Sequence, residues 1–103
     1  MAYIYMTSVK VNKSTRDDKK MMAVFVYPDG KTKTIHFGQK GADDYTKTKD
    51  KEQRAKYIKR HDNKRENWTK PDNAGSLSRY ILWGETTSKK KNLELFKKKF
   101  NLK

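Results

Sequence analysis

The chain contains no cysteine. That excludes disulfide bridges, thiol nucleophiles and thiolate metal sites, and it fits an intracellular, reducing setting. Long apolar runs are missing too. None approaches the roughly 18 residues that a membrane span needs, and the alternating start MAYIYMTSVKV does not form the apolar block of a secretion signal. Aliphatic residues are scarce: Ile, Leu, Val and Phe number 17 of 103, below the roughly 20% under which a highly charged chain is suspected of disorder. Six Tyr, two Trp and four Met offset the shortage, because each buries a large area. The apolar residues stand in periodic blocks separated by turn residues. The sequence therefore predicts one folded domain over residues 1–103, with a modest core that a partner or a second copy would complete.

Several chemistries lack their motifs. There is no Cys/His zinc finger, aromatic RNA-recognition octamer, leucine zipper, P-loop or serine nucleophile elbow. His61, Asp62 and Glu66 lie close in sequence, and His36 is a candidate to join them around a divalent metal for phosphodiester cleavage. His61 falls on the apolar arc of its helix, however, and motif-free clusters are weak grounds for a metal. The sequence reads as non-enzymatic, with no cofactor, no metal and no small-molecule substrate.

What the chain has in excess is positive charge: 26 Lys and Arg against 12 Asp and Glu, a formal net of +14. Such a chain repels itself when compact and attracts polyanions over long range. DNA is the first expectation and RNA the second, with an acidic protein as the alternative partner. The excess is uneven. Residues 1–45 carry 8 Lys and Arg against 5 Asp and Glu, whereas residues 46–103 carry 18 against 7. The amino-terminal part reads as scaffold and the carboxy-terminal part as the electropositive one.

Alternating β-branched and aromatic residues predict a strand over 2–11, with Tyr3 and Tyr5 on one face and Ile4 and Met6 on the other. Asn12 to Lys20 reads as a loop. Met21 to Tyr27 is the most apolar run. Met22, Val24 and Val26 share one face, Ala23, Phe25 and Tyr27 the other, which predicts a central strand covered on both sides. Pro28-Asp29-Gly30 gives a tight turn, and Lys31 to Phe37 returns as the second arm of a hairpin. Gly38 to Gly41 closes the unit as an ordinary loop.

The period then changes to helical. Thr48 or Asp50 caps a helix over 50–61, with Tyr57, Ile58 and His61 on one arc and Lys56, Lys59 and Arg60 opposite. Asp72 or Asn73 caps a helix over 74–83 that turns Ala74, Leu77, Tyr80, Ile81 and Trp83 toward a core, with Gly84 as its stop. Thr86, Thr87 or Ser88 caps a last helix over 89–100 with a Leu93, Phe96, Phe100 stripe. The expected class is α+β: a small antiparallel sheet of about three strands, 2–11, 21–28 and 31–37, packed with two to three helices.

Phosphates call for mobile ammonium groups and guanidinium forks. In the basic and aromatic stretch from Lys47 to Trp68 these are Lys47, Lys49, Lys56, Lys59, Arg60, Lys64 and Arg65. Lys70 and Arg79 continue the set, and the triple-lysine runs add Lys89, Lys90, Lys91, Lys97 and Lys98. The competing reading is a solvated helix face, which the excess of cations over carboxylates disfavours. Trp68 and Tyr45 are candidates to stack on bases, with burial as the alternative. Nothing reads base sequence, so contact through phosphates is expected to be sequence-independent. A homodimer would complete the core and double the basic surface.

The blocks FGQKGADDYTKTKD (37–50), YIKRHDNKRENW (57–68) and NAGSLSRYILWG (73–84) resemble a family of small basic proteins of uncharacterised function from nucleocytoplasmic large DNA viruses of protists and algae. The likeness spans about half the chain and carries no catalytic residues with it. It implies a viral protein that is packaged with the genome or acts on it, located in the virion or in the host nucleus or viral factory.

Overall fold

A computed structural model of the chain describes residues 7–62 and 67–103. The hairpin anticipated from Pro28-Asp29-Gly30 forms for the expected reason. Gly30 takes φ +87°, its N–H donates to Tyr27 O at 2.9 Å, and the Lys31 N–H donates to Asp29 Oδ1 at 3.0 Å. A left-handed residue at the tip costs glycine nothing. The hairpin joins β2 (Lys19–Val26) to β3 (Thr32–Gln39), and β1 (Ser8–Lys13) pairs with the other edge of β2. All pairing is antiparallel, in the order β1-β2-β3. The α+β class is as the sequence implies.

The boundaries shift, and the turn takes more of the hairpin than expected, since β2 ends at Val26 and β3 starts at Thr32. Asn12 and Lys13 belong to β1, and Lys19 and Lys20 to β2, so the first connection is only residues 14–18. Strand β3 runs two residues past Phe37, to Gln39, because Gly38 takes φ +77° without leaving the ladder. Residues 2–6 of the expected first strand, with Tyr3, Ile4, Tyr5 and Met6, lie outside the described residues.

Strand β2 is central by hydrogen bonding, but among the described residues it is covered on one side only. Val9, Val11, Met21, Ala23, Phe25, Ile35 and Phe37 face the helices, with Ala23 and Phe25 fully buried. Met22, Val24 and Val26 do not join the core, and Val26 is 40% exposed. The expectation of a strand covered on both faces is therefore wrong: alternation places side chains on faces but does not say how many layers the fold supplies.

Four helical segments follow. The short α1 (Tyr45–Thr48) was not anticipated; Asp44 caps it, accepting from the Thr46 N–H at 2.9 Å and the Lys47 N–H at 3.3 Å. Asp50 caps α2 (Lys51–His61) through the Glu52 and Gln53 N–H groups. Asn73 caps α3 (Ala74–Leu77), which passes into a π-helical turn over Ser78–Leu82, closed by Trp83 N–H to Ser78 O at 2.9 Å. Ser88 caps α4 (Lys89–Phe100), accepting from the Lys91 N–H at 3.2 Å.

From these, Leu77, Ile81, Leu82, Trp83 and Phe96 meet the inner face of the sheet. Ala74, expected inside, is exposed; the wider π-helical pitch begins only after it, and the buried arc starts at Ser76. At the far end Asn101 turns left-handed (φ +55°), with Leu102 N–H to Lys97 O and Asn101 N–H to Lys98 O closing a Schellman cap. That turn seats Leu102 in the core and lays Lys103 along β1, bonded to Thr7 and Val9 at 3.0 Å. The open edge of β1 is thereby paired.

Candidate nucleic-acid interface

Helix α2 is amphipathic as its pattern predicts. Lys56, Lys59 and Arg60 are exposed, while Tyr57, Ile58 and His61 are half-buried. No residue of α2 is fully buried. Its attachment comes from stacking and from one arginine. Tyr57 stacks on Trp83 at 4.3 Å with planes 5° apart, and His61 stacks on Tyr57 at 4.1 Å. Arg54 donates through Nε to Gly84 O at 2.8 Å and Trp83 O at 3.2 Å. Sequence reasoning missed Arg54, which sits on the inner arc among the aromatics with nothing in its spacing to single it out.

The proposed phosphate ligands divide into distinct environments. Lys49 and Lys70 are exposed, and Lys47 reaches Asp43 at 3.5 Å with both side chains more than half exposed, a weak pair. Lys89, Lys90, Lys91 and Lys98 are exposed on α4 and Lys97 is half-buried. Among the described residues, none of these α4 lysines pairs with a carboxylate. Lys64 and Arg65 lie outside the described residues.

Arg79 is half-buried and held by main-chain and aromatic contacts. Its Nη1 donates to Trp83 O at 3.1 Å, and its guanidinium lies 5.4 Å from the centre of the Trp68 ring and 5.1 Å from that of Tyr80. Burial, then the nearby positive charge of Arg54, pulls its pKa below the ordinary arginine value. Two guanidinium groups thus meet at one carbonyl, and Arg79 is half-buried with its guanidinium engaged there. Trp68 is half-buried against it, with its carbonyl accepting from the Tyr80 hydroxyl at 3.3 Å. Tyr45 is 7% exposed and packs in the core under Arg54, which leaves no ring face for a base.

The structure brings together cations that the sequence keeps apart. Three cavities share the Lys20 side chain. The first is lined by Lys13, Lys19, Lys40 and Lys89, the second by Thr46, Lys47, Thr87 and Lys89. The third continues to Tyr57, Arg60, His61 and Trp83. Between them they reach the end of β1, the start of α4 and the end of α2, and Asp44 lines the second and third and Asp43 the third. Lys20 binds Asp44 Oδ2 at 2.6 Å. Lys13, Lys19 and Lys40 escaped sequence reasoning because they lie in the half with little net charge; only strand register gathers them.

The residues weighed for a metal do not converge. His61 Nδ1 lies 3.0 Å from Tyr57 O, a contact within its own helix. His36 sits on the outer face of the sheet, with Nδ1 2.7 Å from Ser14 Oγ. Among the described residues no group of three or more His, Asp or Glu is placed to hold a metal ion; Glu66 lies outside them. No helix among the described residues is long and apolar enough to cross a membrane.

Residues 9–61, from β1 through α2, match the model of a family of unknown function (DUF5754). No curated protein and no solved structure matches the chain.

Proposed function

The chain belongs to this family of unknown function, and we propose that its role is sequence-independent, non-catalytic binding of nucleic acid, with double-stranded DNA as the favoured partner. The observation that carries this reading is helix α4. It bears Lys89, Lys90, Lys91, Lys97, Lys98 and Lys99 against a single acid, Glu94. Its first turn holds no acidic residue, so three lysines stand at the end where the helix dipole is itself positive. That arrangement opposes the folding of the helix by a few tenths of a kcal/mol per lysine, and a phosphate backbone would relieve it.

The cavities around Lys20 add further lysines beside α4, and lysine and arginine charges without base-reading partners suit the backbone of a duplex. Among the phosphate ligands suggested by the sequence, the exposed Lys49, Lys56, Lys59, Lys89, Lys90, Lys91 and Lys98 fit this role, and Arg79, half-buried and held at Trp83 O, does not. A genome-associated role in a virus is the setting that the sequence resemblance suggests.

The test is a binding titration with random duplex, single strand and RNA across salt concentrations. If Z phosphates are neutralised, log K falls linearly with log salt at a slope near −0.9Z on duplex DNA. Weak binding at low salt sinks the proposal and turns attention to an acidic protein.

A further inference from the structure

One cavity of about 400 Å³ is lined by Lys13, Lys19, Lys20, Met21, Lys40 and Lys89. No acidic side chain lines it. Lys20 is already neutralised by Asp44, and among the described residues Lys13, Lys19, Lys40 and Lys89 have no carboxylate partner. The acids nearest in sequence are accounted for. Asp18 is gripped by Arg16 at 2.8 and 3.0 Å, and Asp17 does not line the cavity.

The fold creates this cluster from three separate places. Register sets Lys13 opposite Met21 and Lys19 opposite Gln39, and the Lys40 N–H is held on Asp18 O at 3.0 Å. The ends of all three strands therefore meet at one corner, and α4 begins there with Lys89. Folding thus brings four lysines to the lining of one concave space, where their like charges repel and an anion is favoured.

We propose that this cavity binds a compact anion of two or more linked phosphates, such as tripolyphosphate or the triphosphate group of a nucleotide. A phosphate monoester carries roughly −1.5 to −2 charges, so four ammonium groups match about two phosphates. Lysines act as point charges without the planar fork of arginine, so the site selects charge density over the orientation of a single oxygen pair. A duplex is convex and tracks a surface; a concave corner fits a short phosphate chain. The first N–H groups of α4 add potential of the same sign, although the site stands on its lysines. It does not depend on the chain binding DNA.

The test is calorimetry at low salt with orthophosphate, pyrophosphate, tripolyphosphate and a nucleoside triphosphate, with duplex DNA titrated in parallel. Affinity should rise at least about tenfold, or 1.4 kcal/mol, from orthophosphate to tripolyphosphate. The triple variant K13Q/K40Q/K89Q should lose at least about tenfold for tripolyphosphate. The charge-matched K90Q/K98Q/K99Q, outside the cavity, should lose less than about threefold. Equal loss in both variants means diffuse attraction and overturns the proposal. So does a nucleoside triphosphate that binds when tripolyphosphate does not. Amide shifts in the unmodified protein give a check free of folding effects: they should centre on residues 13, 19, 40 and 89, and a spread along α4 overturns the site. Tripolyphosphate binding without DNA binding would keep this site and remove the nucleic-acid role; the reverse would remove this site alone.

Discussion

Lys20 Nζ lies 2.6 Å from Asp44 Oδ2, and through this contact strand β2 is pinned to the cap of helix α1. The carboxylate is almost fully buried, with 2% of its side-chain surface exposed. It also accepts from Thr46 Oγ1 at 2.5 Å and from two backbone N–H groups, while Lys20 Nζ additionally donates to Ala42 O. Desolvation pushes the Asp44 pKa up, but the hydrogen bonds from Lys20 and Thr46 outweigh it and hold the carboxyl below 3.8.

Asp44→Asn keeps a capping side chain and removes the charge, and it should cost about 1–3 kcal/mol at neutral pH. Asp44→Ala also removes the cap and should cost about 3–5 kcal/mol. Because the folded pKa is depressed, this stabilisation is fully present above the unfolded value near 3.8 and is lost as pH falls through the folded pKa. Urea unfolding of wild type and Asp44→Asn at neutral pH and along a series of falling pH below 3.8 checks both points, and the two proteins should converge once the pH is below the folded pKa.

Asn92 is 1% exposed and all its hydrogen-bonding capacity is used. Its Nδ2 donates to Ile81 O and Thr86 O at 2.9 and 2.8 Å, and its Oδ1 accepts from the Thr86 N–H and hydroxyl at 3.0 and 2.7 Å. It ties α4 to the π-helical turn. Asn92→Leu is close in volume but strands buried polar groups, each costing about 1–3 kcal/mol. A large fall in the unfolding midpoint is expected; a change below about 1 kcal/mol would remove Asn92 from this role.

Gly84 sits in the same joint. A Cβ there would lie 2.3 Å from Tyr80 O and 2.7 Å from Asn92 Cγ. The sequence suggested Gly84 as a helix stop; the structure requires it for space. Gly84→Ala should destabilise by about 1–3 kcal/mol, measured by chemical denaturation.

Arg54 and Arg79 converge on Trp83 O, so their removal should have unequal effects. Arg79→Met leaves that carbonyl bonded to Arg54 and relieves a like-charge contact, and stability should change by less than about 1 kcal/mol. Arg54→Met deprives Gly84 O of the side-chain donor at 2.8 Å and should cost about 1–3 kcal/mol. Thermal unfolding of the two variants distinguishes them, and equal losses would show that the pair acts as one unit.

On the proposed DNA-binding surface, K90Q/K98Q/K99Q should lower the magnitude of the salt slope by about 0.9 for each lysine that contacts phosphate, whatever the DNA sequence. Arg79→Met should leave the slope unchanged, since its guanidinium is held inside at Trp83 O. A slope altered only by Arg79→Met would overturn this assignment of surface and interior.

The sequence by itself determined the elements whose cause is local. Pro28-Asp29-Gly30 forms its turn from its own backbone and the Asp29 side chain, Asp50, Asn73 and Ser88 cap their helices through neighbouring N–H groups, and the 3.6-residue period of Tyr57, Ile58 and His61 set the faces of α2. Composition likewise set the net charge. Only the tertiary structure decided which charges are free and which are spent. Arg79 and Lys56 read alike as basic residues on helices, yet one lies between Trp68 and Tyr80 and the other is in solvent. Lys13, Lys19, Lys40 and Lys89 become neighbours because strand register and the start of α4 bring distant segments to one corner. Electrostatic neighbourhood depends on separation in space, and a periodic pattern along the chain holds no information about which segments the core will draw together.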